Sequence, residues 1–433
     1  MGCALWVWIE HEGIMKVCVI GAGIVGCATA YQLALQGWEV HLLDQAPGAG
    51  RGTSFANGAQ LSYSYVEPLA SPATLRGLPA MLLSSDSPLR LRLRADVHQW
   101  TWCLRFLQAC TARQSRLGTR ELLLLAQLSR ETLDSWMDRE DWRFSFQRNG
   151  KLVLCPDAES LRRQQAQLQF QSTLGCRQTL LTPQECVDRE PALRTSIDQF
   201  AGGVWTADEC VGDPHALSLE MTGSLQRLGG QVHFDTRVTG FIVIGDRVAA
   251  ALTPGGAFAA DAFVIANGVE ARRLAASVRV TLPIYPIKGY SITLPVRASD
   301  KAPRVSVTDL GRKTVFAPLG GRLRVAAMAE LVGHDLSIPP GRIQQMMDAA
   351  RQMFPEACEF QDPQPWAGLR PATPTAVPII GQRGPANLYI NAGHGALGFT
   401  LAAGSAQVLG RQMLDDLSGG VLPENSAGRQ AWA

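Results

Sequence analysis

Residues Lys16–Ile20 (KVCVI) are an apolar run followed at once by Gly21-Ala22-Gly23-Ile24-Val25-Gly26, and then by a helix-forming stretch to about Leu35. This juxtaposition restricts the fold more tightly than anything else in the chain. A G-x-G-x-x-G between a strand and a helix is a dinucleotide-binding turn. Gly21 permits the tight turn, Gly23 lets the backbone approach a pyrophosphate, and Gly26 lets the helix pack on the strand. The helix N-terminus then offers unpaired N–H groups and the positive end of its dipole to the phosphates. Gly37 is the expected helix stop, and Glu39–Leu43 (EVHLL) a second strand. A βαβ unit within about 30 residues opens a parallel sheet. Asp44 ends the second strand, 18 residues after Gly26, where it can accept hydrogen bonds from an adenosine ribose and would repel a 2′-phosphate. Gln45 beside it is a further expected contact. The motif alone does not separate NAD from FAD.

A second glycine-rich turn lies far along the chain. The strand NLYINA (387–392) runs into Gly393-His394-Gly395-Ala396-Leu397-Gly398 and a helix over about 399–414. Such a helix end can face the pyrimidine side of a flavin and stabilise negative charge there. Its distance from the first turn fits a long cofactor that touches different chain regions at its two ends. Just before it, Arg370 stands in Trp366-Ala367-Gly368-Leu369-Arg370-Pro371 among apolar neighbours. Its planar guanidinium suits a substrate carboxylate or an internal salt bridge. Tyr285, Lys288 and Tyr290 lie on a strand in PIYPIKGY and are candidates to line a site. Thr53, Ser54, Asn57, Gly58 and Gln60 in TSFANGAQ are small or polar groups suited to lie under a ring system. Gly268 ends the buried strand ADAFVIANG.

With 433 residues the chain holds two to three structural units at about 100–200 residues each. Its net charge of +2 gives no reason to expect nucleic acid as a partner. The 10 cysteines show neither C-x-x-C nor zinc-like spacing, so no metal site is expected, and a reducing cytoplasm is the expected compartment. Cys18 and Cys27 read as small core residues. No segment has the roughly 20 apolar residues that span a bilayer. Met15 immediately precedes the first strand, so residues 1–14 read as a leader or misassigned start.

The expected architecture is α/β: a discontinuous Rossmann-like nucleotide-binding domain interleaved with a mixed or antiparallel-sheet (α+β) substrate domain. The first comprises 15–85, 204–282 and 366–424; the second comprises 86–203, helical from Arg90 to about Asp141, and the antiparallel sheet of 283–365. Residues 425–433 are a tail.

Taken together, VIGAGIVG (19–26), TSFANGAQ (53–60), YPIKGYSIT (285–293), MAELVG (328–333), GLRP (368–371) and GHGALGFT (393–400) resemble the FAD-dependent D-amino-acid oxidase superfamily. Within it the chain is most similar to the bacterial D-amino-acid dehydrogenase small-subunit group, from about Met15 to Leu414. The resemblance implies non-covalent FAD and oxidative deamination of D-amino acids to 2-oxo acids and ammonia. Hydride would pass from Cα to flavin N5, and electrons onward to a quinone or respiratory acceptor. It gives Arg370 the substrate carboxylate, and Gly393, His394, Gly395 and Gly398 the flavin loop. Tyr285, Lys288 and Tyr290 would line the site. One departure stands out. Relatives usually read threonine-proline-aspartate-glycine where this chain has Thr373-Pro374-Thr375-Ala376, which implies a stiffer, differently charged loop.

Alternatives from the same residues are a glycine- or sarcosine-type amine oxidase reducing O2, a D-proline or D-hydroxyproline dehydrogenase, an NAD-dependent dehydrogenase, and a structural FAD binder. Finally, Leu89–Cys110 carries Arg90, Arg92, Arg94 and Arg105 beside Trp100, Trp102 and Phe106. That mixture suits either peripheral docking on the inner face of the cytoplasmic membrane, where a quinone is reached, or an ordinary helix with its aromatics in the core.

Overall fold

The computed structural model describes residues 14–66, 68–76, 89–92 and 94–417. The expected leader, apart from Ile14, and the expected tail lie outside the described residues.

Six strands form one sheet, in the order Ile379–Gln382, Leu388–Ala392, Ala262–Ile265, Lys16–Ile20, Glu39–Leu43, Gln231–His233. All neighbours run parallel except the first pair. Its central strands are mostly apolar because both faces are covered, with His41 and Asn391 as buried polar exceptions. On one face Val17, Val19, Val40 and Leu42 pack under helices Ile24–Leu35, Pro214–Arg227 and Gly398–Leu417. On the other, Cys18, Ile20 and Leu43 meet a three-stranded antiparallel sheet and helix Ala271–Ala276. Cys18 and Cys27 are buried in these layers, and burial pushes the Cys18 thiol up to about 12.

The second sheet has nine strands. Eight run in the order Gln364–Ala372, Tyr285–Pro295, Arg322–Leu331, Thr314–Pro318, Ser306–Asp309, Lys151–Cys155, Gly202–Thr206, Thr179–Leu181. Leu89–Leu91 adds parallel to Arg322–Leu331. One face, here the back, is closed by helix Pro340–Met353 over Tyr290, Ile292, Leu294 and Val325. The front face turns toward residues 53–60.

Two expectations are corrected. Residues 366–372 do not start the last nucleotide-binding segment. They form the edge strand of the second sheet, paired antiparallel with Tyr285–Thr293. The helical stretch expected from Arg90 to about Asp141 begins only at Val97 and ends at Met137. It follows the short strand Leu89–Leu91 and consists of two helices, Val97–Ala109 and Ala112–Met137. Asp96 caps the first through His98 N–H, and Thr111 caps the second through Gln114 N–H. These short polar side chains satisfy free helix-start donors and so fix the boundaries.

Candidate active site

The Gly21–Gly26 turn sits at the C-terminal end of the first strand. Gly21 has φ of 109°, and a Cβ there would stand 2.6 Å from Asn267 Cα. A Cβ on Gly26 would fall on the Gly21 carbonyl, at 1.7 Å. Both positions therefore require glycine. Gly23 is the N-cap of helix Ile24–Leu35 and brings no capping side chain. Ser54 Oγ accepts the Ile24 N–H at 3.0 Å. Asp44 is fixed by the Ala22 N–H (2.6 Å) and the Ala46 N–H (2.7 Å). Burial raises its pKa, while these two amides pull the other way. Ala22 and Ile24 are buried, Val25 is half-buried and Gln45 is exposed.

The chain then crosses the front of the second sheet. Thr53 Oγ1 donates to the Leu369 carbonyl (2.7 Å), and Ser291 Oγ donates to the Ala56 carbonyl (2.5 Å). Arg324 Nη1 donates to the Asn57 carbonyl (3.0 Å). Asn57 Oδ1 accepts from Ala59 N–H, and Gly58 faces Ala326. Gln60 ends the crossing, donating to Ser306 and accepting from Lys151 Nζ at 2.9 Å. Gln60 thus spends its side chain on the far strands of the sheet, which corrects the expectation that it lies under a ring system.

Arg370 lies opposite Ile287 on the front face. Its guanidinium covers Gly289, where a Cβ would stand 2.4 Å from Nη2. Nη1 donates to the Met328 carbonyl at 2.9 Å. That carbonyl is turned forward by a bulge: Lys288 pairs with Glu330 but Tyr290 with Ala327, and Met328 has φ of 69°. Bulges re-aim groups in this way near functional sites. Among the described residues Arg370 has no carboxylate within ion-pair distance. Loss of water around its charge pulls its pKa down to about 10.

Tyr285 shares the front face, packed with Trp102, Phe106 and Ile287. Its hydroxyl donates to Asp96 at 3.4 Å, and Trp102 Nε1 donates to the Ala372 carbonyl at 2.8 Å. Lys288 and Tyr290 are on the other face, because side chains alternate along a strand. Tyr290 donates to Glu330 (2.8 Å), which pairs with Arg342 (2.7 Å). Lys288 is buried behind the sheet, 3.6 Å from Asp335. The expectation that Lys288 and Tyr290 line the site with Arg370 is thereby corrected.

The loop 393–398 meets the same strand end, with His394 bridging to Ala372. Gly393 has φ of 89° and Gly395 of 55°; a Cβ on Gly393 would stand 2.7 Å from Thr373. Gly395, Leu397 and Gly398 are half-buried and Ala396 is exposed, at the start of helix Gly398–Leu417. His394 is buried, its Nε2 has no partner among the described residues, and burial pulls its pKa down to about 3. In the loop that follows Thr373, Ala376 has φ of 67°.

Three polar groups of interest were not anticipated from the sequence. Asn267 Oδ1 is buried beside Gly21 without a partner among the described residues, next to Gly268 (φ 61°) with open space around it. Its signal was its place directly after a buried strand, in VIANG. Arg324 is buried on the front face with Nε unpartnered. Lys151 is buried against Gln60 and Ser62, with Glu209 nearby; nothing local in the sequence marks this group. Among the described residues no cluster of His, Cys, Asp and Glu is arranged to hold a metal ion.

The glycine turn 21–26, Asp44, Asn267 and the loop 393–398 thus lie along one edge of the first sheet, beyond the C-terminal ends of its parallel strands. Orphaned polar atoms at Asn267 and His394 await partners along it. Native structures leave few such groups unsatisfied. These residues fit a dinucleotide with a ring system at its far end, next to an arginine that has no carboxylate partner among the described residues. Residues 16–412 match the FAD dependent oxidoreductase family, and the chain belongs to it. FAD is the cofactor of that family.

The chain is similar to D-amino acid dehydrogenase 2 of Ralstonia nicotianae, 45% identical over 405 residues, covering 91% of this chain and 95% of the relative. It is 44% identical over 405 residues to D-amino acid dehydrogenase 2 of Pseudomonas aeruginosa, with 92% and 94% covered. Among solved structures, glycine oxidase from Geobacillus kaustophilus superposes with a TM-score of 0.72 at 20% identity, covering 94% and 96%. L-proline dehydrogenase from P. horikoshii gives 0.70 at 19% identity, covering 95% of each chain. These two likenesses establish the fold.

Proposed function

We propose that the chain is an FAD-dependent D-amino-acid dehydrogenase that converts D-amino acids to 2-oxo acids and ammonia. The observation that carries this reading is Arg370: a guanidinium with no carboxylate partner among the described residues, held flat on a glycine beside the flavin loop. A bidentate carboxylate complements such a cation. The named relatives at 44–45% identity support the D-amino-acid class and dehydrogenase behaviour.

Bound FAD supplies the two-electron acceptor. The chain's own residues do the rest by placement. Arg370 takes the substrate carboxylate, and Met328 and Gly289 hold Arg370 in one orientation. The Gly21–Gly26 turn and Asp44 hold the ADP part. Loop 393–398 presents backbone donors at a helix start to the other end, where negative charge builds on reduction. His394 stays neutral there.

The electron acceptor is a quinone or another respiratory carrier, reached from the membrane surface on the cytoplasmic side. Helix Val97–Ala109 supports this. Trp102 and Phe106 are buried, whereas Val97 (77%), Trp100 (51%), Leu104 (58%) and Leu107 (44%) are exposed. Arg90, Arg92 and Arg94 just before the helix and Arg105 within it are all exposed. Exposed apolar and cationic residues on one such segment suit an anionic lipid interface. Among the described residues no helix is long and apolar enough to cross a membrane.

The test is anaerobic visible spectroscopy of the purified flavoprotein. D-amino acids should bleach the flavin and L-amino acids should not, with slow recolouring in air. Bleaching by L-amino acids or sarcosine alone would overturn the substrate class. Fast recolouring with peroxide would make the protein an oxidase.

A further inference from the structure

Gly289 and Gly368 stand directly opposite each other on neighbouring strands. Neither has a side chain, and each hollow is filled by a planar group from elsewhere on the front face. Over Gly289 lies the Arg370 guanidinium. Over Gly368 lies the six-membered ring of Trp366, whose Cη2 would stand 2.0 Å from a Cβ there, with Cζ2 at 2.5 Å. Directly paired Cβ positions are about 4.5–5.5 Å apart. The indole and the guanidinium therefore lie side by side on the sheet.

Trp366 is half-buried. On the opposite flank of Arg370 the strand is pinned by Trp102 at the Ala372 carbonyl. Any group paired with Arg370 is thus bordered by the indole. An amino acid carries its side chain on the carbon next to its carboxylate. A carboxylate seated on Arg370 brings that side chain within reach of the ring.

We propose that Trp366 is a specificity-determining residue: its ring walls the substrate site beside Arg370 and limits the bulk of the amino-acid side chain. The inference rests on the reading of Arg370 as the carboxylate anchor. Replacing the ring by a methyl group opens the hollow over Gly368 next to the anchored end of the substrate. Discrimination of about 10–200-fold per methylene-sized change is typical of such pockets.

The experiment compares kcat/KM for D-phenylalanine and D-alanine in the FAD-loaded wild type, Trp366→Ala and Trp366→Phe, with an artificial electron acceptor. Flavin content and spectrum report on folding. The D-phenylalanine to D-alanine ratio should rise at least tenfold in Trp366→Ala and by less in Trp366→Phe, whose ring keeps part of the wall. An unchanged or lower ratio in Trp366→Ala overturns the proposal. Arg370→Lys is run alongside. If it raises KM for both substrates while the Trp366 ratio stays fixed, only the role of Trp366 fails. If it leaves both KM values unchanged, the anchor reading itself fails.

Discussion

The Arg370 guanidinium rests on Gly289, with Nη2 only 2.4 Å from where a Cβ would be. The contact is with the end of a flexible side chain, so a methyl group there displaces the arginine more than it disturbs the sheet. Gly289→Ala should therefore retain FAD and raise KM for a D-amino acid about tenfold to a hundredfold. That corresponds to about 1.5–3 kcal/mol for a charged hydrogen bond. Steady-state kinetics with a flavin count check this, and an unchanged KM would mean the guanidinium is not where the substrate binds.

Ala376 adopts φ of 67°, a conformation that disfavours every residue with a Cβ. The loop is held there by Ala376 N–H to the Thr373 carbonyl (3.3 Å) and Thr373 Oγ1 to the Val377 carbonyl (2.8 Å). Ala376→Gly should stabilise the protein by about 0.5–1 kcal/mol, after allowing for glycine's freer unfolded state. Urea unfolding measures it; a lower midpoint would show that the alanine is unstrained.

His394 gives a signed pH dependence. Its folded pKa is drawn down to about 3 from 6.5 by burial. Below pH 6.5 the unfolded chain binds a proton that the folded chain refuses. Stability from this group is complete above pH 6.5 and is lost progressively as pH falls toward 3. Between pH 7 and pH 5 the loss is about 2 kcal/mol at most. His394→Asn should flatten the acid side of the stability profile by that amount. Equal slopes in variant and wild type would place the histidine in water.

Exposed Trp100 and Leu104 on helix Val97–Ala109 should carry membrane affinity. From position 89 to 120 the sequence has seven arginines and one acid, Asp96. The wild type should co-sediment with phosphatidylglycerol vesicles at low salt and detach as salt rises. A Trp100→Glu, Leu104→Glu double variant should lose at least tenfold in binding. Equal binding by the two proteins would remove this helix from the membrane contact.

Much of this was legible in the sequence because it is local. The first strand, the glycine turn and Asp44 lie within one βαβ unit, and each position follows from backbone geometry. Arg370 and the 393–398 loop were legible as residue types in context. The sidedness of Lys288 and Tyr290 was not. It depends on which face of the strand carries Arg370, which only the register Ile287–Arg370 fixes. Nor was the engagement of Gln60, whose partners Lys151 and Ser306 are 91 and 246 residues away. The break between the helices at Cys110–Thr111 was hidden because the apolar spacing continues through it, and only the Thr111 cap marks it.

The central claim is that Arg370 binds the carboxylate of a D-amino acid beside the flavin. Its most direct test is anaerobic flavin bleaching by D-alanine and by D-alaninamide, which lacks the carboxylate, in wild type and Arg370→Ala. D-Alanine should bleach the wild type far below the concentration needed for the amide. Arg370→Ala should lose that preference with FAD still bound. A variant that keeps the wild-type preference for D-alanine over its amide would contradict it.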